Sequence, residues 1–314
     1  MKIQKTIAER TKRFFTTQPK LLSAFQLASN CLTGVHLSAK ERKVKHHFIV
    51  PLEKGIIEPS FYQNNIKKGE TLKVLLMDGM KKLHMADRRV GFVLPEISQK
   101  TFLLSFDSLP ATLKERDQLV HFRVKKQLPL LPDDARMAYS LMPHDNQVRV
   151  LASVARASVI KEYEDFFSQL KLKIRSVGMP FAGLVNLIIR EGENVMLVNI
   201  EEDVFSLVGI TNSEISLYRQ KSFALEAQDE DSVLQKFDDI ALEIENTISF
   251  IQEKEKREIV SLWIRTGLPE SEEEIMSVLA EKLSIPVRGV DACLPGNLAP
   301  KKKRLLSALV GYML

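Results

Sequence analysis

Two stretches of this chain are written alike, and the likeness limits what it can fold into. Leu22–Ser38, "LSAFQLASNCLTGVHLS", is an apolar run, a break of small polar residues and a second apolar run. Further along, "NVMLVNIEEDVFSLVGI" and "SEISLYRQKSFA" form a similar pair that turns at Thr211-Asn212-Ser213. Each reads as a strand hairpin, and each is followed by helical patterns, so the chain is built from two α/β halves opened in the same way.

Between the halves the pattern changes. After strands at about 22–28, 32–38 and Val44–Leu52 and a helix at 69–85, the chain runs through strands "VGFVLP" and "TFLLSFDSLP", helix "KERDQLVHFRVKKQL" and a proline-rich corner "PLLPDD". Strands "ARMAYSLM" and "QVRVLASVA", helix "VIKEYEDFFSQL" and strand "KIRSVGMP" follow. This alternation predicts an inserted α+β module. The longest helix is expected over 232–256, where Val233, Leu234, Phe237, Ile240, Ala241, Ile244, Ile248 and Ile251 keep i, i+3/i+4 spacing. An apolar helix, "KKRLLSALVGYML", closes the sequence.

Composition narrows the function classes. The chain has 314 residues, 45% of them hydrophobic, enough for two cores. No apolar run approaches the roughly 18 uncharged residues that cross a bilayer, and the charged N-terminus does not read as a signal peptide; a cytoplasmic location is expected. Cys31 and Cys293 lie far apart with no CxxC or Cys/His spacing, so no disulfide framework or metal site is indicated. His46 and His47 are adjacent on an expected strand and point to opposite faces, which ill suits one metal ion.

The net charge of +5 comes from 45 basic and 40 acidic residues and is clustered at 1–20, at Lys40–Lys45 and at Lys301–Arg304. No aromatic residues are interleaved with these patches and no nucleic-acid motif appears, so no nucleic-acid partner is expected. Residues 1–21 set Ile3, Ile7, Phe14 and Phe15 among basic side chains. Two readings of this amphipathic segment stand: a helix packed on its own domain, or contact with an anionic membrane surface. Catalytic signatures such as G-x-S-x-G, HExxH and GK[ST] are missing, and His121 reads as a surface histidine.

Two hairpin-opened halves with a module inserted in the first resemble the actin/Hsp70/hexokinase superfamily, and in particular the PilM family of type IV pilus assembly. FtsA and the cytoplasmic part of GspL are more distant. Leu22–Ser38 fits that family's opening strand without a gap. "IVPLEKGII", "FRVKKQLPLLPDDARMAYSLM", "VLASVARASVIKEYEDFFSQLKLKIRSVGMP" and "IENTISFIQEKEKREIVSLWIRTG" fit its later stretches in order, so the resemblance spans about 22–314. It implies an α/β, actin-like fold, a ribonuclease H-like unit duplicated, with an inserted α+β (SHS2-like) module. The expected boundaries are 1–21 for the basic segment, 22–89 for the first half, 90–178 for the module, and 179–314 for the second half with the C-terminal helix.

Measured against the family's nucleotide loops, the chain has drifted. The first loop needs an acidic residue for Mg²⁺ and a glycine that lets backbone N–H groups reach the phosphates. Gln26 holds the acidic position, Ala28 the glycine and Thr33 the lysine; only Ser29 keeps its type. In the second loop Asn199 replaces the carboxylate and Glu201 the glycine. A carboxylate about 4 Å from a phosphate charge costs roughly 4 kcal/mol at an effective dielectric of 20. The third loop keeps one glycine, Gly267. Glycine is scarce throughout, 13 residues in all. No ATP hydrolysis is expected and ATP/Mg is disfavoured as a cofactor, although Gln26 and Asn199 also read simply as capped strand ends.

The resemblance further implies a peripheral scaffold at the inner membrane, in a pilus or type II secretion assembly. It would bind the short cytoplasmic tail of a bitopic, PilN-like membrane protein, alongside other platform proteins or the secretion ATPase. One wall of the groove would be Phe122, Leu128, Pro129, Leu130 and Pro132; an ordinary proline-terminated helix end is the other reading of that corner. Two further functions stay open: a residual ATPase with Mg²⁺ on Glu201 or Asp203, and a filament-forming FtsA-like homologue.

Overall fold

A computed structural model describes residues 21–144, 147–189, 193–223, 230–268, 272–294 and 296–314. The basic segment at 1–20 lies outside them.

The first half forms a five-stranded sheet from β1 (Ser23–Leu27), β2 (Cys31–Leu37), β3 (Val44–Pro51), β4 (Arg89–Val93) and β8 (Lys173–Gly178), in the order β3-β2-β1-β4-β8. β1, β2 and β3 are antiparallel neighbours, whereas β4 and β8 run parallel to β1. The second half repeats this with β9 (Val195–Ile200), β10 (Val204–Thr211), β11 (Glu214–Ser222), β12 (Ser261–Thr266) and β13 (Val287–Gly289), in the order β11-β10-β9-β12-β13. Its first three strands are again antiparallel and its last two parallel to the first. The same order and the same change of sense in both sheets is the duplicated α/β arrangement that the two hairpins foretell.

Each sheet is buried on both faces. The outer face of the first packs Phe25 and Phe92 beneath α1 (Gly69–Leu83) and α3 (Ala157–Gln169), the latter bringing Tyr163 and Phe167. That of the second lies under α5 (Glu230–Glu255) and α6 (Glu272–Lys282), through Phe237, Ile240, Ala241, Ile244 and Ile251 of the long apolar stripe. The inner faces meet two helices that cross between the lobes, α4 (Pro180–Ile188) and α7 (Pro300–Met313). All of Arg304–Met313 is buried, as a helix apolar on every side must be. Here the expected assignment of the C-terminal helix to the second half is corrected: Leu306, Leu309, Val310 and Met313 pack on Ala24, Val35 and Val93 of the first sheet, while Ala308 joins the core of the second.

The module is also smaller than 90–178. β4 and β8 are strands of the first sheet and α3 covers its core, because their side chains complete the Phe25–Phe167 cluster. What is inserted is β5 (Lys100–Phe106), α2 (Leu113–Gln127), β6 (Ala135–His144) and β7 (Gln147–Arg156), a strand–helix–strand–strand unit whose sheet has the order β5-β7-β6. α2 buries Val120 and Val124 on one face of that sheet. The other face docks on the second lobe, where Arg149 pairs with Glu255 at 2.6 Å.

The second hairpin turns on Asn212 and Ser213, both at positive φ, as a two-residue turn requires. The first needs no such residue, since Ala28, Ser29 and Asn30 all keep negative φ, so its lack of glycine costs the backbone nothing.

α4 and α7 cross at glycines. A Cβ on Gly311 would run into the carbonyl of Gly183, and one on Gly183 into that of Ala308, backbone atoms with no room to yield. Gly311→Ala is therefore expected to destabilise the chain by about 2–3 kcal/mol or more, as overpacking does, and to lower the thermal midpoint measurably. Gly69→Ala, at the open first position of α1, serves as the near-neutral control.

Candidate functional site: the cleft between the lobes

The strand ends that carried the sequence expectations converge where the two lobes face each other. Gln26 on β1 and Asn199 on β9 hold equivalent places, near the ends of the two central strands and on their inner faces; both are buried. Thr33 is paired across from Gln26. Gln26 Oε1 and Thr33 Oγ1 find no hydrogen-bond partner among the described residues.

The residue that organises the cleft was missed by sequence reasoning. Arg265, on β12 beside Asn199, is 1% exposed. Its Nη1 donates to Asn199 Oδ1 at 3.1 Å and to Glu201, forming a buried ion pair. Glu201, expected to disfavour a phosphate unless a cation intervenes, has its cation within the chain, in Arg265. The signal was available, since an arginine inside the apolar strand "SLWIRT" requires a carboxylate nearby.

Gly267 is the third loop's glycine, and its Cα sits against the Glu201 carboxylate. Its carbonyl accepts from Asn30 Nδ2 at 3.0 Å, a hydrogen bond that joins the first hairpin to the second lobe. Ser29, next to Asn30, is half-buried. Backbone N–H groups in all three loops are taken internally: Ala28 by the Cys31 carbonyl at 2.9 Å, Glu201 by Val204 at 2.8 Å and Gly267 by Ile200 at 2.7 Å. One amide of each loop and the Arg265–Glu201 pair on the floor are thus committed within the chain.

A second buried acid crosses the cleft. Glu96, in the 3-10 turn Glu96–Ser98 after β4, accepts from the Tyr218 hydroxyl at 2.7 Å and from Asn199 Nδ2 at 3.4 Å, and its carbonyl accepts from Gln220 at 2.7 Å. Burial pushes its carboxyl up to about 7, with Glu201 adding to the rise and the Tyr218 bond opposing it.

On the module, the expected groove residues are only partly gathered. Leu128 packs on the module core, Pro132 is half-buried, and Phe122, Pro129 and Leu130 are exposed, with Lys126 4.6 Å over the Phe122 ring. Asp134 pins the corner, accepting from Arg156 Nε at 2.8 Å and from the Ser158 amide at 3.0 Å. An open cavity of about 450 Å³ lies on the neighbouring flank of α2, lined by Asp117, Gln118, His121, Met137 and Tyr139; none of the five expected residues lines it. His46 faces His36 and His84, whereas His47 is turned to the other side of β3, near Lys302. Among the described residues no three side chains form a metal site, and no helix is long and apolar enough to cross a membrane.

Because Glu96 holds its proton more tightly folded than unfolded, the stability it contributes is full below its ordinary value of 4.5 and is lost as the pH rises towards 7. Glu96→Gln should flatten the pH dependence of unfolding free energy across that window, on the order of 2–3 kcal/mol, in denaturant titrations at successive pH values.

No protein-family model matches the sequence, and no curated protein is similar to it in sequence. Solved structures are similar. A chain of the PilM-PilN type IV pilus biogenesis complex covers 94% of this chain and 98% of its own length, with a TM-score of 0.77 at 13% identity. The ethanolamine utilization protein EutJ from Carboxydothermus hydrogenoformans covers 99% and 98%, with a TM-score of 0.51 at 8% identity. The cytoplasmic domain of EpsL, an inner membrane component of the type II secretion system of Vibrio cholerae, covers 83% and 93%, with a TM-score of 0.48 at 10% identity. Over nearly its whole length, the chain has the actin-like fold in its PilM-like form.

Proposed function

We propose that the protein is a non-catalytic scaffold on the cytoplasmic face of an inner-membrane assembly platform, of a type IV pilus or a type II secretion system. Its role there is to hold the short cytoplasmic tail of a bitopic, PilN-like membrane protein. The observation that carries the non-catalytic part is the buried Arg265–Glu201 pair, at the loop that the resemblance aligns with the family's second phosphate loop. The same pair weighs against Mg²⁺ on Glu201, because that carboxylate already has its cation. The PilM-like fold supports this choice of partner, as the matching structure is of a PilM-PilN complex. The module supplies a surface of suitable chemistry: exposed Phe122 and Leu130 beside a fixed corner, which an extended tail can engage through apolar pockets and backbone hydrogen bonds.

Thermal unfolding with and without millimolar Mg-ATP tests the first part. A nucleotide at about 100 times its dissociation constant would add roughly 2.7 kcal/mol and raise the midpoint by several degrees; no shift is expected, and a clear shift would overturn the non-catalytic reading. For the partner, a fluorescent peptide of the PilN-like tail from the same organism should bind saturably. Leu130→Asp combined with Phe122→Asp should weaken that binding and leave the melting temperature unchanged, whereas unaltered binding would move the site elsewhere.

A further inference from the structure

The contacts across the cleft are unequal in kind. On one side Glu96 ties β4 to β11 through Tyr218 and Gln220, next to the crossing helices α4 and α7. At the mouth of the cleft a single side-chain hydrogen bond among the described residues joins the lobes, from Asn30 at the tip of the first hairpin to the Gly267 carbonyl after β12. Gly267 in turn rests on the Glu201 carboxylate, which Arg265 holds. The chain's own side chains thus hold the mouth of the cleft.

We propose that the Asn30–Gly267 hydrogen bond, seated on the Arg265–Glu201 pair, is a latch that keeps the lobes closed with no ligand in the cleft. Closure is then a fixed property of the folded chain, and release requires breaking this contact, for instance when a partner pulls on one lobe.

Cys31, the first residue of β2 and next to Asn30, is a native reporter. Its side chain is buried, and burial together with the Glu201 charge pushes its thiol up to about 12, so it is unreactive while the tips are closed. The test uses the full chain with Cys293→Ser, which leaves Cys31 as the single thiol, and follows alkylation at fixed pH together with small-angle scattering. Asn30→Ala and Arg265→Gln should each speed labelling at least tenfold and enlarge the radius of gyration, with a cooperative melt retained. Exchanging the pair, Glu201→Arg with Arg265→Glu, should restore the parent radius of gyration, the readout that the reversed charges beside the Cys31 thiol do not touch. Labelling at the parent rate in folded Asn30→Ala would overturn the latch, as would faster labelling with an unchanged radius, which marks local fraying. If Arg265→Gln does not fold, Asn30→Ala decides alone. The latch rests on the reading of a cleft without nucleotide, yet the two fail separately: a Mg-ATP shift in the parent's melting sinks that reading, whereas the labelling comparison judges the latch.

Discussion

The cleft is governed by one buried ion pair. A guanidinium and a carboxylate removed from water are tolerated only when each satisfies the other and the remaining lone pairs are bonded. Arg265 answers Glu201 and Asn199 together through Nη1, with its Nε finding no hydrogen-bond partner among the described residues, and the demand propagates. Asn199 is held by Arg265 and donates to Glu96, and Gly267 has no room for a side chain because the Glu201 carboxylate lies against it. The side chains of the second and third loops are thus tied into one charge network. A carboxylate at 201 without its arginine would be a buried charge, and the arginine without the carboxylate equally so.

The second constraint is steric. The lobes share no strand and are joined over α4 and α7, which approach closely enough that the carbonyls of Gly183 and Ala308 occupy space a Cβ would need. Close backbone contact of this kind permits little relative sliding. It gives the two lobes a stiff back.

Much of the fold was legible. The duplicated hairpins, the long stripe of α5 and the turn at Asn212-Ser213 follow from periodicity and turn chemistry, which are local properties. The limits of the module were not, because nothing within "VGFVLP" or "KIRSVGMP" says which sheet will recruit it; both strands pair with the first sheet because their side chains complete an aromatic core assembled from distant residues. The shared position of α7 escaped for the same reason. At the site, Gln26, Asn199 and Glu201 were visible as departures from a pattern, whereas Arg265 is marked only as a charge inside an apolar strand, and which carboxylate answers it, 64 residues away, is not written locally. Glu96 was hidden likewise, as its burial comes from β11.

The inserted module occupies a crossover, leaving the first sheet after β4 and returning through α3 to β8, the neighbouring strand. A crossover must connect two adjacent parallel strands, but its length and content are not set by the sheet. The surface bearing Phe122, Leu130 and the Asp117–Tyr139 cavity can therefore be rewritten over evolutionary time, residue by residue or wholesale, without disturbing the registers of β1, β4 and β8 or the charges in the cleft. A frame whose interior is fixed by one ion pair leaves that surface free to diversify, so lineages carrying this frame are expected to differ most where the module meets solvent.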